Sequence, residues 1–518
     1  MSNSVKTVVI VGGGTAGWIT AGRIAAKHKS TSTTTINVIL VESAKVPTIN
    51  VGEGTWPTMR KTLIALGIRE TDFIRECDGS FKQGAKFARW VDGSDKDFYY
   101  HPLVLPQGFI KGDLSPYWHA MQKGKDTGIS FSNAVCFQES ICEQGLAPKT
   151  IRSEEYSDIA NYAYHLDSGK FSKFLQKHCL EKLGVKHVVD DVVEVINHDN
   201  GDIASVATAA SGKITGDLFV DCTGFASLLL GKHYQVPFVE CGDVLFIDNA
   251  LAVQVPYEDE NTPIASHTIS TAQEAGWIWD IGLYHRRGVG YVYSSNHTSE
   301  DEATQRLSEY VGPAIKDLSI RKIPIHSGHR EKFWHKNCVA VGLSAGFLEP
   351  LEASALVLVE LSAEFISEQL PQTRKVMDVV AKRFNETFLY RWQKIIDFLK
   401  LHYLLSKRTD NKFWIDNRDP QSIPDSLQDM MELWRYRSPA DFDFTSNNEV
   451  FPAASYQYVL YGMGFKTDYK HSQHLLNDWD FANKQFSMTE KMIQQAIKQL
   501  PSNRELLAKI KQYGFATL

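Results

Sequence analysis

The 518-residue chain has no stretch of 18 consecutive apolar residues, which excludes a membrane-spanning helix. Residues 1–6 contain neither an apolar signal core nor a cleavage site, so a cytoplasmic protein is expected. Seven cysteines (Cys77, Cys136, Cys142, Cys179, Cys222, Cys241, Cys338) form no Cys-x-x-Cys pair, so no cysteine pair stands at zinc-ligand spacing. Reduced, mostly buried thiols are expected, with neither disulfides nor a metal. Lysine and arginine form no long runs and the net charge is −6, which argues against nucleic acid as a partner. Internal repeats and low-complexity segments are lacking as well. What is present is a globular composition, 43% hydrophobic and 22% charged. The 27 Phe, 20 Tyr and 11 Trp suit a large core and aromatic-walled pockets. The length calls for two or three sub-domains.

Hydrophobic patterning predicts a strand over 6–11, a helix over 16–27, a polar surface loop over 30–35 and a second strand over 36–42, together one βαβ unit. Helical spacing recurs over 58–66 and 171–183. Strands are expected at 187–196, 203–209, 218–221 and 337–342, with an antiparallel pattern dominating 238–295. Helices are expected over 353–369, 376–405 and most of the remainder, the last over 489–513. The expected fold class is α/β: an FAD-binding Rossmann-like domain of the flavin monooxygenase type, with an antiparallel sheet and a helical C-terminal substrate part. The expected division is an FAD-binding domain over 1–375, with substrate-side insertions near 75–160 and 238–330, and a mainly helical substrate-covering part over 376–518.

The first strand runs into Gly12-Gly13-Gly14-Thr15-Ala16-Gly17 and then a helix, the context a Gly-x-Gly-x-x-Gly phosphate turn requires. Gly12 permits the tight turn, Gly14 lets backbone approach a pyrophosphate, and Gly17 lets the helix pack on the strand. The helix N-terminus offers N–H groups and a positive dipole end to the phosphates. Glu42, closing the second strand, is placed to accept hydrogen bonds from ribose hydroxyls. Two later segments favour FAD over NAD. Residues 216–225 form a strand leading to Thr223-Gly224, similar to the later FAD-contacting strand of flavin monooxygenases. Residues 339–346 resemble the flavin-side segment there.

Six motifs then occur in order. They are Gly12-Gly13-Gly14-Thr15-Ala16-Gly17-Trp18, Val51-Gly52-Glu53-Gly54-Thr55, Ser80-Phe81-Lys82-Gln83-Gly84-Ala85-Lys86-Phe87, Gly276-Trp277-Ile278-Trp279-Asp280-Ile281, Gly290-Tyr291-Val292-Tyr293-Ser294-Ser295 and Phe347-Leu348-Glu349-Pro350-Leu351-Glu352. In these the chain resembles the flavin-dependent tryptophan halogenases along nearly its whole length. Gly282 stands where the family pattern has Pro, and Ala353 where it carries Ser directly after the Glu.

The resemblance implies that reduced FAD and oxygen oxidise a halide to hypohalous acid, which moves to a separate organic pocket. Lys82 matches the catalytic lysine that holds the oxidant over one carbon or becomes a haloamine. Lys86, four residues on, shares a face with it if the segment is one strand, and is the competing candidate. Glu352 matches the catalytic glutamate, with Glu349 as the alternative. A carboxylate there would orient the oxidant and accept the ring proton. Ser354 and Ala355 match the residues whose N–H groups bind the halide. The resemblance also places Lys45, Glu53, Val192 and Leu343 with FAD. His101 matches a residue that stacks on the indole. Trp277 and Trp279 belong to the family's diagnostic motif, whose indoles keep an organic substrate from the flavin; by periodicity alone they pack a core.

No clamp for the amino and carboxylate groups of free tryptophan is recognisable in 451–462, where Glu449 is the only nearby acid. Indole, another aromatic, or a tryptophan side chain in a larger molecule is therefore the expected substrate. A flavin monooxygenase that hydroxylates an aromatic is the competing reading. Only one dinucleotide turn is present, so a separate NAD(P)H-dependent flavin reductase is the expected partner, and a homodimer is a candidate assembly.

Overall fold

Four consecutive buried residues, Val8 to Val11, form a strand that must be covered on both faces. In the computed structural model, which describes residues 4–29, 36–46, 52–122, 128–446 and 449–516, that strand lies inside a six-stranded sheet. The expected polar loop at 30–35, and Val51 of the Gly-rich motif, lie outside the described residues. The chain divides into two units, one built from Met1–Gly79, Leu166–Cys241 and His326–Gln393, the other from Ser80–His165, Gly242–Ile325 and Lys394–Leu518.

The sheet of the first unit runs in the order Trp334–His335, Cys338–Ala340, Leu218–Asp221, Thr7–Val11, Asn37–Glu42, Lys186–Val189. All pairings are parallel except that of the short edge strand Trp334–His335. Ile10 stands beside both Leu40 and Val220, so the two strands of the expected βαβ unit and the later strand Leu218–Asp221 are neighbours at the sheet centre. The helix Thr15–Lys27 packs against Ser354–Glu368 and Ser168–Lys182. The strand expected at 337–342 is shorter, Cys338–Ala340. Gly342, at φ 74°, turns the chain into a 3₁₀ segment, Gly342–Ser344.

The second unit holds a seven-stranded sheet in the order Arg321–Pro324, Asn249–Pro256, Arg286–Tyr293, Gly276–Gly282, Thr268–Gln273, Gly84–Ala88, Phe98–Pro102. Only Thr268–Gln273 and Gly84–Ala88 run parallel. The period-2 set Leu251, Val253, Val255, with Ile278, Val289, Tyr291 and Tyr293, buries one face under Ala303 and Leu307 of the helix Glu300–Val311. That helix starts in a capping box between Ser299 and Glu302. Trp277 and Trp279 alternate with Ile278 and point to the opposite face, where they too are buried. The helix expected over 489–513 is instead two, Trp479–Gln499 and Asn503–Tyr513. Pro501 has no N–H to continue the ladder, and Ser502 caps the second helix by accepting from the Glu505 amide. The seven cysteines are buried. No helix among the described residues is long and apolar enough to cross a membrane.

Candidate active site

The nucleotide turn shows why glycines stand where they do. Gly12 has φ 114°, and a Cβ there would lie 2.1 Å from the Cys222 carbonyl oxygen. A Cβ at Gly17 would lie 1.9 Å from the Gly12 oxygen. Gly14 faces open space, with nothing within 4 Å of a Cβ, and it begins the helix without a side-chain cap. Thr15, Ala16 and Gly17 therefore present backbone amides beside a gap that a pyrophosphate would fill, so these residues fit FAD. Glu42 Oε1 accepts from His187 Nε2 at 2.7 Å and Gln176 Nε2 at 3.0 Å, which orients the carboxylate against Gly13. Lys45 forms an ion pair with Asp191, the neighbour of Val192. Leu343 lies in the 3₁₀ segment whose Gly342 abuts Ala16.

One residue of this region escaped the sequence reading. Asp221, fully buried, accepts from the Leu229 and Leu230 amides at 2.8 Å each and from Thr223 Oγ1 at 2.6 Å. It ties the Thr-Gly turn to the sheet. An acid closing a buried strand just before Cys-Thr-Gly was the available signal. Glu53, held by Ser168, is raised to about 7 by desolvation, and the charge of Asp167 adds to the rise.

Glu349 and Glu352 are both buried, at 0% and 2% exposure, ahead of the helix Ser354–Glu368. The expected start at Ala353 is corrected by one residue. Ala353 is the N-cap, in the left-handed region at φ 53°, ψ 37°. Further along the same helix, Glu360 accepts from Thr62 Oγ1 at 2.6 Å and Thr58 Oγ1 at 3.2 Å. Burial raises it to about 8 from 4.5. A raised carboxyl stabilises the fold fully below pH 4.5, and that contribution is lost as pH climbs through 8. Glu360→Gln keeps an acceptor and removes the charge. We expect its stability advantage over wild type to be near zero below pH 4.5, to grow between those limits and to level off above them, on the order of a few kcal/mol. Denaturation midpoints measured across the range test this; a pH-independent difference between the two proteins defeats it.

In the second unit Lys82 and Lys86 do not share a strand. Lys82 ends Ser80–Lys82, which pairs antiparallel with Ala163–Asp167, whereas Lys86 lies in Gly84–Ala88. Between them the Gln83 amide bonds to Ser266 O at 2.7 Å, and Gly84 takes φ 149°. Lys86 forms an ion pair with Glu143 at 2.6 Å and lies over the Phe98 ring. Lys82 is 2% exposed, rare for a lysine. His165, on the paired strand, is held well below its usual range by burial, with the Lys82 charge adding to the effect. His267 is pushed down to about 4 by burial and by Lys86. His165 is thus neutral at neutral pH.

Trp277 and Trp279 meet edge to face, 6.5 Å between centroids, and the Trp277 indole donates to Tyr403 Oη at 3.0 Å. His101, also buried, bonds through Nε2 to Ser455 Oγ at 2.9 Å, edge-on to Phe398. Phe398 stacks on Phe451 at 4.0 Å. His101 thus lies in an aromatic cluster with the helix Ala453–Gly462.

The chain as a whole has counterparts among known proteins. The sequence profile of the family described as tryptophan halogenase matches residues 7–478. The 7-chloro-L-tryptophan 6-halogenase KtzR of Kutzneria sp. (strain 744) is 34% identical, over 97% of this chain and 99% of its own. The crystal structure of a tryptophan halogenase from Shewanella frigidimarina NCIMB 400 superposes with a TM-score of 0.95 at 49% identity, over 100% of this chain and 99% of its own. Tar14, a tryptophan C-6 flavin-dependent halogenase (chlorinase) from taromycin biosynthesis, gives 0.90 at 33% identity, over 98% of this chain and 100% of its own. Profile, relative and structures each span nearly the whole chain, and on that ground it belongs to the tryptophan halogenase family.

Proposed function

We propose that this protein is an FADH2- and O2-dependent halogenase that carries halogen, as hypohalous acid, to an electron-rich carbon of an indole-type substrate through Lys82 and Glu352. FAD, when bound and reduced, supplies the oxygen activation and the oxidation of the halide. The turn Gly12 to Gly17 binds its pyrophosphate and Glu42 its ribose, with Lys45, Glu53, Val192 and Leu343 completing the FAD contacts. The amides of Ser354 and Ala355 bind the halide. Such an amide site needs no side chain, so halide binding survives the Ala353 departure. Lys82 holds the oxidant, or takes the halogen on its amine, and Glu352 accepts the proton that leaves the ring. His101 stacks on the indole. Trp277 and Trp279 wall the oxidant's source from the substrate.

What supports this reading most is the burial of Lys82 beside a neutral histidine, where an ordinary lysine would be solvated. The relatives named above act on tryptophan or its derivatives, which supports an indole ring as the acceptor. Residues 449–462 carry no acid besides Glu449, which supports a substrate other than the free amino acid. Turnover with reduced FAD and each halide over free tryptophan, indole and indole-bearing peptides, read by mass spectrometry, tests both parts. Added halogen on indole or peptide is the expected result. Added oxygen without halide would establish hydroxylation instead, and strong turnover of free tryptophan with poor turnover of indole would overturn the substrate assignment. A separate NAD(P)H-dependent flavin reductase is the proposed partner. Rapid reduction of tightly held flavin by NADPH on this chain alone would contradict that.

A further inference from the structure

The indole of Trp56 donates to the backbone carbonyl of Glu352 at 2.7 Å, in a buried setting and across 296 residues of sequence. That carbonyl belongs to the peptide joining Glu352 to Ala353. The amide at the other edge of the same peptide, Ala353 N–H, donates to Pro350 O at 3.0 Å. A peptide unit is planar, so partners on opposite edges fix its orientation. The orientation matters because Ala353 is left-handed, a strained conformation for a non-glycine residue that persists only where the surroundings impose it. Ala353 lacks the hydroxyl or amide with which a polar residue could bond locally and favour that conformation. Trp56 supplies the restraint from outside the turn.

Trp56 is itself fixed. Its carbonyl accepts the Met59 amide at 3.0 Å, at the start of the helix Thr58–Leu66. Thr58 and Thr62 of that helix hold Glu360, in the second turn of the helix that begins at Ser354. The donor and the turn it holds are therefore joined at two separate points.

We propose that Trp56 is a positioning residue. Its indole N–H holds the Glu352–Ala353 peptide so that the Glu352 carboxylate and the amides of Ser354 and Ala355 keep one orientation. This rests on the roles assigned above to Glu352, Ser354 and Ala355. The steady-state observable is the halide response, because the same peptide sets the direction of the halide-binding amides.

The test is Trp56→Phe, together with site-specific replacement of Trp56 by its benzothiophene analogue, which keeps the bicyclic shape and loses only the N–H. Bromide KM is expected to rise roughly tenfold, the scale of one lost buried hydrogen bond, and kcat to fall. The thermal midpoint and the FAD dissociation constant of the analogue should match wild type, since a merely structural defect would move all four together. Bromide KM and kcat within twofold of wild type for the analogue overturn the proposal. So does a loss of FAD affinity in step with the halide effect. If Trp56→Phe does not fold, the analogue decides. Glu352→Gln run in parallel separates the two claims. Wild-type turnover there removes the underlying assignment, whereas lost turnover there with an unaffected analogue removes only the role of Trp56.

Discussion

Lys82→Ala is expected to lose halogenated product by roughly 10²–10⁴-fold, the range over which a positioned proton-transferring or oxidant-holding group contributes. Hypohalous acid should still be produced and should still halogenate a small scavenger in solution, because the substitution leaves the first unit untouched. The product and the oxidant therefore respond differently, and that contrast is the diagnostic. Lys86→Ala is the control. Lys86 is held by Glu143 over the Phe98 ring, on a different strand, and its loss should change turnover by less than about threefold, the scale of a partly exposed ion pair. Mass-spectrometric product yield for both variants, beside scavenger halogenation, measures this. Full product formation by Lys82→Ala, or loss on Lys86→Ala alone, would show the lysine assignment to be wrong. Folding is checked by the thermal midpoint, since removal of a buried side chain leaves a cavity.

The second large effect is expected for Glu352→Gln. Glutamine has nearly the same shape and keeps an acceptor oxygen, but it cannot take a proton from the ring or stabilise a cationic intermediate as a carboxylate does. We expect kcat to fall about 10²-fold or more, with substrate KM little changed, because the group acts on the transition state rather than on binding. Glu349→Gln tests the neighbouring acid. Glu349 is fully buried and precedes the turn that holds Glu352, so it is expected to affect stability more than the chemical step. If Glu349→Gln silences turnover and Glu352→Gln does not, the two roles are exchanged.

The contrast between Lys82 and Lys86 shows where sequence reasoning ran out. A two-residue period gives both the same face only while the strand is unbroken. The break at Gln83 and Gly84 depends on a hydrogen bond to Ser266, far away in the chain. The Gly-x-Gly-x-x-Gly turn is the opposite case. Its glycines are required by contacts with Cys222 and Gly12 that any such strand–turn–helix makes, so a local pattern carried the information. The helix expected to run through Pro501 failed for a local reason that was available in the chain, namely the missing N–H of proline.

By itself the sequence determined the βαβ unit, the phosphate turn, the antiparallel region and the family motifs, because each follows from short-range sterics and from side chains alternating toward a core. Only the tertiary structure decided which lysine is buried, that Ala353 is left-handed, that burial raises the carboxyls of Glu53 and Glu360, and that Trp56 holds the carbonyl of Glu352. These depend on desolvation and on partners hundreds of residues apart, and neither exists until the chain has folded.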